Sequence, residues 1–131
     1  MATLNFKNDR PTETQCKATL NSIADALHVL GGKWNLRIIV ALKEGNKRFN
    51  EMHRLIDGIS AKMLSSELKD LELNGFIRRN VFTGTPVVVE YELTEYADTL
   101  GDVLSALSEW GAMHRETVRK SMKKKQPVEV L

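Results

Sequence analysis

The sequence predicts a mostly helical α+β fold, a winged helix-turn-helix with a two-stranded wing and terminal dimerisation helices, and three observations carry that expectation. Asp57-Gly58-Ile59 separates two short amphipathic stretches, the arrangement of a helix-turn-helix. Two β-rich runs flank Thr83-Gly84-Thr85-Pro86 and make one hairpin. An apolar stripe from Ala97 to Val118 then continues over more turns than so small a core can cover, and a second copy across a two-fold axis is its simplest partner.

Length and composition set the bounds. At 131 residues, 42% of them hydrophobic, the chain fits one domain with a core of its own. No apolar run reaches membrane-spanning length, and Met1 to Gln15 carries acids and polar groups where a signal peptide needs an apolar stretch. A cytoplasmic protein with no membrane partner is expected. The formal net charge of +2 hides an asymmetry, because Arg115 to Lys125 holds six Lys or Arg against Glu116 alone, leaving the rest of the chain at −3. Any basic footprint for nucleic acid must therefore be local. One cysteine, Cys16, excludes an internal disulfide framework and a multi-cysteine zinc site. His28, His53 and His114 fall on different helices without companions at ligand spacing, so neither a metal nor a cofactor is expected. With no Ser/His/Asp constellation, phosphate loop or paired-carboxylate motif, enzyme chemistry has no foothold.

Taken in order, residues 1–15 read as an arm, 16–114 as the winged helix domain with its dimerisation helices, and 115–131 as a basic helix end and tail. Ser22 to Leu30 sets Ile23, Ala26, Leu27 and Leu30 at helical spacing before Gly31-Gly32. Trp34 to Leu42 is apolar over so much of its circumference that it belongs at the centre of the fold, with Gly45 as its stop. Lys47-Arg48-Phe49 is long enough only for an edge strand, and Asn50 reads as the cap of a helix carrying Met52, Leu55 and Ile56. The next helix is the better marked. Ser60 is its N-cap, Ile59 can staple to Leu64, and Gly75 ends it. Met63, Leu64, Leu68 and Leu71 form its packing face, whereas Lys62, Ser65, Ser66, Lys69 and Asp70 point away. Phe76 to Phe82 and Val87 to Leu93 read as the hairpin, with Val89, Tyr91 and Leu93 on one face. Thr94 caps a final helix.

A helix whose N-terminal outer face is short, polar and rich in hydroxyls suits the DNA major groove. Lys47, Arg48, Arg54, Lys62, Lys69, Arg78 and Arg79 are the candidate phosphate contacts, scattered in sequence but convergent in a winged helix. Each alone is equally a solvated surface charge. Ser65 and Ser66 are candidate base-edge readers, Ala61 could meet a thymine methyl, and Ser60 and Thr85 complete the expected contact set. Serine discriminates bases poorly, so DNA shape carries part of the expected specificity. Glu67 and Asp70 must point aside or repel wrong sequences. Leu100, Leu104, Leu107, Trp110 and His114 are the expected dimer contacts. The alternative is a winged helix that assembles with protein partners without reading DNA. The cations kept around the helix pair and wing favour double-stranded DNA. A third reading, a protein that binds a small molecule of unknown identity between the wing core and the dimer helix, is compatible with the DNA-binding one as its effector mechanism.

Several stretches together resemble the HxlR-type family of bacterial winged helix regulators: Cys16 followed by Leu27-His28-Val29-Leu30-Gly31-Gly32-Lys33-Trp34, then Lys47-Arg48-Phe49-Asn50-Glu51-Met52, Gly58-Ile59-Ser60-Ala61-Lys62-Met63-Leu64, Leu68-Lys69-Asp70-Leu71-Glu72-Leu73-Asn74-Gly75, Val89-Glu90-Tyr91-Glu92-Leu93-Thr94 and Glu109-Trp110-Gly111. The resemblance spans about residues 16–114. It implies a dimeric, MarR-like transcription factor that reads a pseudo-palindromic operator, with the Ser60 helix as recognition helix and the hairpin as wing. It also implies that Cys16, placed just before the first helix, is a candidate sensor of reactive electrophiles or oxidants. Lys17 stands where family members often carry proline, and the wing tip Thr83-Gly84-Thr85-Pro86 is shorter than the usual turn. A buried or half-buried thiol with no sensing role is the plainer reading of Cys16.

Overall fold

The computed structural model describes residue 8 and residues 10–125. The chain runs α1 (Glu13–Leu30), α2 (Asn35–Lys43), α3 (Phe49–Leu55), α4 (Ala61–Leu73), β1 (Ile77–Phe82), β2 (Val88–Leu93), a 3₁₀ segment (Glu95–Leu100) and α5 (Gly101–Lys125). It is a winged helix-turn-helix, as expected.

The core forms where the apolar faces of α2 and α4 meet. Ile38 and Ile39 from α2, Met52 from α3, and Leu64, Leu68 and Leu71 from α4 are almost completely buried, with Ile77 of β1 beneath them. Ile59 and Leu64 are buried in this same cluster, consistent with a staple at the start of α4. Met63, expected on the packing face, is 42% exposed; it lies about 100° round the helix from Leu64, beyond the edge of the core. β1 and β2 pair antiparallel from Ile77↔Leu93 to Phe82↔Val88. A two-stranded ribbon is marginal alone, and this one leans on the helices through Ile77, Tyr91 and Leu93.

Four local expectations need correction. α1 begins at Glu13, not Ser22, because Thr12 and Gln15 form a reciprocal capping box: the Gln15 N–H donates to Thr12 Oγ1 at 3.2 Å and the Thr12 N–H to Gln15 Oε1 at 2.9 Å. Cys16 therefore lies inside the helix rather than before it. Asn50 does not cap α3; the cap is Arg48, two residues earlier, where Glu51 Oε1 accepts the Arg48 N–H at 2.8 Å. Lys47 makes a single bridge, not a strand, exchanging backbone hydrogen bonds with Tyr91 at 3.1 and 2.8 Å. Thr94 leads into the 3₁₀ segment and only then α5, and its hydroxyl donates to the Gly75 carbonyl instead of capping the helix. Among the described residues no helix is long and apolar enough to cross a membrane.

Candidate nucleic-acid interface

The turn between α3 and α4 hangs on Gly58, whose φ of +85° a residue with a Cβ adopts only under strain. Ser60 follows with extended backbone, and its Oγ accepts the Met63 N–H at 3.0 Å. One of the hydroxyl's two acceptor lone pairs is therefore spent on fixing the start of α4, which holds the side chain against its own helix while the proton and one lone pair stay available for a DNA contact. Beyond the cap, Ala61, Lys62, Ser66 and Lys69 are exposed and Ser65 is half-buried. Leu64, Leu68 and Leu71 hold the opposite face in the core. One side of α4 is thus rigidly seated and the other is free.

The seven candidate cations divide into two groups. Arg48, Arg54, Lys62, Lys69 and Arg79 are exposed, and none pairs with a carboxylate among the described residues. Lys47 and Arg78 are engaged. The Lys47 side chain is only 13% exposed and its ammonium meets Glu44 Oε1 at 2.6 Å. It stitches the α2–α3 loop to the sheet, so its expected role as a free phosphate contact does not match its placement. Arg78 Nη1 lies 3.1 Å from Glu92 Oε1, which also accepts from Asn80 Nδ2 at 3.1 Å. The Asn80 and Arg78 hydrogen bonds hold the Glu92 carboxyl below the usual carboxylate range. Thr85 is exposed in the loop at the wing tip. On α4, burial and then the neighbouring Asp70 push the Glu67 carboxyl up.

The expected dimer contacts also divide. Leu100 is 7% exposed and belongs to the core of its own chain, so it is not free to meet a partner. Leu104 packs at the core's edge, while Leu107 and Trp110 are exposed, and His114 stacks on Trp110 with ring centres 4.8 Å apart. Sequence reasoning missed the matching surface on α1. None of its residues is buried, and Leu20, Ile23 and Leu27 face outward. The spacing 16, 20, 23, 27 puts Cys16, which is exposed and unpaired, on that same stripe. The signal was present: Thr12-x-x-Gln15 is a capping-box pattern, and reading it would have extended the stripe to Cys16. Lys17, the next residue in sequence, turns its ammonium to Glu13 Oε1 at 3.6 Å.

Between α2, the end of α3 and α5 lies an open groove of about 800 Å³, floored by Leu36, Val40, Leu55 and Leu107, with Arg37 and Asp57 at its edge. Among the described residues no three His, Cys, Asp or Glu side chains converge on a metal position.

A helix-turn-helix with its second helix seated on one face and bare and polar on the other, followed by a wing, defines a DNA-binding regulator of the winged helix class. Residues 29–119 match the family model described as HxlR-like helix-turn-helix, and the chain belongs to that family. It is 44% identical over 93 residues to YtcD, an HTH-type transcriptional regulator of Bacillus subtilis (strain 168), covering 71% of this chain and 74% of YtcD. Among solved structures, the redox regulator HypR in its reduced form superposes with a TM-score of 0.71 at 35% identity, over 76% of this chain and 98% of HypR. Reduced YodB, a transcriptional regulator from B. subtilis, gives 0.62 at 42% identity over 68% and 87%. The chain is accordingly a transcriptional regulator and not an enzyme.

Proposed function

We propose that the chain acts in the cytoplasm as a homodimer on a pseudo-palindromic operator. Each α4 enters a major groove about one DNA turn, roughly 34 Å, from the other. The observation that carries this reading is the pairing of a bare polar α4 face, and of five exposed cations on or beside α3, α4 and β1 that meet no carboxylate among the described residues, with uncovered apolar stripes on α1 and α5. The stripes hold two copies together, and the copies present two reading helices. Arg48, Arg54, Lys62, Lys69 and Arg79 contact phosphates. Ser65, Ser66 and Ala61 meet base edges, with Ser60 and Thr85 at the margins.

Cys16 gives this dimer a point of chemical control. The thiol is exposed on the α1 stripe, and the structural neighbour HypR is a redox regulator solved in reduced and oxidised forms. Reactive electrophiles or oxidants that modify Cys16 add bulk and polarity at the edge of the α1 surface, which shifts the dimer and its grip on DNA. With one cysteine per chain, oxidation either links two chains or caps the thiol with a small molecule. The groove beside α5 is the place for a non-covalent effector.

A mobility-shift titration on the DNA upstream of the protein's own gene tests the reading, run with wild type and Cys16→Ser, each with and without a quinone, an aldehyde or peroxide. Sequence-specific retardation that the reagents release only from wild type is the expected outcome. Release of both proteins alike removes Cys16 from the mechanism, and the absence of any retarded species removes the operator.

A further inference from the structure

The start of α2 carries two cations besides those beside α3, α4 and β1, and both stand on one aromatic ring. Trp34, the cap residue of α2, is buried. The Lys33 ammonium lies 4.9 Å from its ring centre and the Arg37 guanidinium carbon 5.1 Å. Both residues are exposed, and neither pairs with a carboxylate among the described residues. Asp57 borders the same groove as Arg37 without coming within ion-pair distance of it. Two like charges that share one ring centre are within roughly 10 Å of each other, close enough to repel. The ring also fixes where they stand relative to the reading helix. A Cβ on Gly58 would meet the Cη2 of Trp34 at 3.8 Å, so the indole lies against the turn between α3 and α4. Ser60, two residues on, caps α4.

We propose that Lys33 and Arg37, spread over Trp34, form a phosphate clamp beside the start of α4. The face of the indole attracts each cation and narrows its rotamers, so less side-chain entropy is lost when a phosphate arrives. A duplex carries one negative charge per about 1.7 Å of its axis, and charges set this close together meet neighbouring phosphates of one stretch of backbone. Those phosphates supply the anions that the pair lacks within its own chain and relieve the repulsion between the two cations. The guanidinium of Arg37 suits two phosphate oxygens at once, whereas the Lys33 ammonium acts as a point charge. Neither contact reads a base, so the clamp contributes affinity and register and no sequence preference. The inference rests on the proposed entry of α4 into the major groove, and it names the residues that tie the start of that helix to the backbone.

The test uses the full chain and two duplexes of equal length, the DNA upstream of its own gene and a random sequence, titrated at several salt concentrations. Lys33→Ala and Arg37→Ala should each lower the salt slope of log affinity by about one per bound subunit, and the double variant by about two. The loss should be the same on both duplexes, because phosphate contacts carry no sequence information. Arg37→Lys keeps the charge and should keep the wild-type slope. Lys43→Ala removes an exposed cation from the other end of α2 and should leave the slope alone. Melting temperatures should be nearly unmoved throughout, since both clamp residues are exposed. Unchanged slopes in Lys33→Ala and Arg37→Ala, with or without a lower melting temperature, overturn the clamp and leave the two cations as braces of Trp34. A Lys43→Ala slope reduced as much as theirs overturns it too, because the effect is then one of net charge. Failure of the wild type to retard either duplex removes the DNA reading itself and the clamp with it, an outcome distinct from a wild type that binds and variants that bind identically.

Discussion

Every buried hydrophobic residue of the described chain lies between Trp34 and Leu100, whereas α1 contributes none and α5 turns Leu107, Trp110, Met113 and Met122 to solvent. α2, the helix pair, the base of the wing and the 3₁₀ segment close on one another around a core that their own chain completes. The flanking helices have amphipathic surfaces of comparable quality but nothing in their own chain to cover them. Two kinds of apolar surface coexist here, one closed within the chain and one left uncovered by it, which the proposed dimer would use. Their energetics respond differently to concentration, since only the second is subject to mass action.

The largest expected effect tests the first kind. Leu68 is 1% exposed on the inner face of α4, and Leu68→Ala removes three heavy atoms from a site with no route to solvent. A loss of about 2–5 kcal/mol in thermal or denaturant unfolding is expected, the same at all protein concentrations. Trp110→Ala tests the second kind. It should weaken the dimer by about 2 kcal/mol, some thirtyfold in dissociation constant, by light scattering or sedimentation. Under conditions where the chain is monomeric it should leave the melting transition nearly unmoved, because Trp110 is 58% exposed and contributes little to its own subunit. Equal effects of Trp110→Ala on monomer and dimer would erase the distinction between the two surfaces.

The same contrast explains what was legible in the sequence. Inside the body the pattern is determined locally: Gly58, the Ser60 cap, the 64–68–71 spacing and Gly75 each force one outcome, and α4 forms where they place it. Two kinds of feature escaped. The start of α1 was obscured because its apolar residues are sparse near Cys16 and the capping box precedes the periodic stretch. Individual side-chain pairings were also hidden, since nothing in the sequence tells that Lys47 will face Glu44 or that Arg78 will find Glu92 across the strand. Residue type marks a candidate cation, but only the fold decides whether it is spent. Leu100 shows the same limit on the apolar side. Its spacing continues the α5 stripe, yet the 3₁₀ segment directs it into the core.

That division of the cations gives the next prediction. Lys62→Ala and Arg79→Ala should each weaken binding to every duplex and reduce the salt slope of log affinity by about one, as expected for one lost phosphate contact. Arg78→Ala should change the slope by less than either, because Glu92 already screens the guanidinium. Identical slopes for Arg78→Ala and Arg79→Ala would show that the Arg78–Glu92 pair opens on DNA.

The smallest effect concerns Glu67, the acid that the packed and reading faces of α4 share. Its carboxyl is pushed up by burial and then by Asp70, so the fold favours the protonated form. The stability cost of ionising it is fully present above the raised folded value and vanishes once pH falls below the unfolded one. Glu67→Gln should therefore stabilise the protein slightly at neutral pH, with the gain fading as pH drops through the carboxylate range. Its effect on DNA is set by a different balance. An anion beside the reading face repels every phosphate backbone, and an operator that fits well tolerates it best, so removing it should tighten random duplex more than operator. We expect the ratio of the two affinities to fall about threefold at neutral pH, well within what a single misplaced charge supplies. Should Glu67→Gln tighten both duplexes equally, the carboxylate contributes general repulsion only and discrimination rests with Ser65, Ser66 and the shape of the DNA.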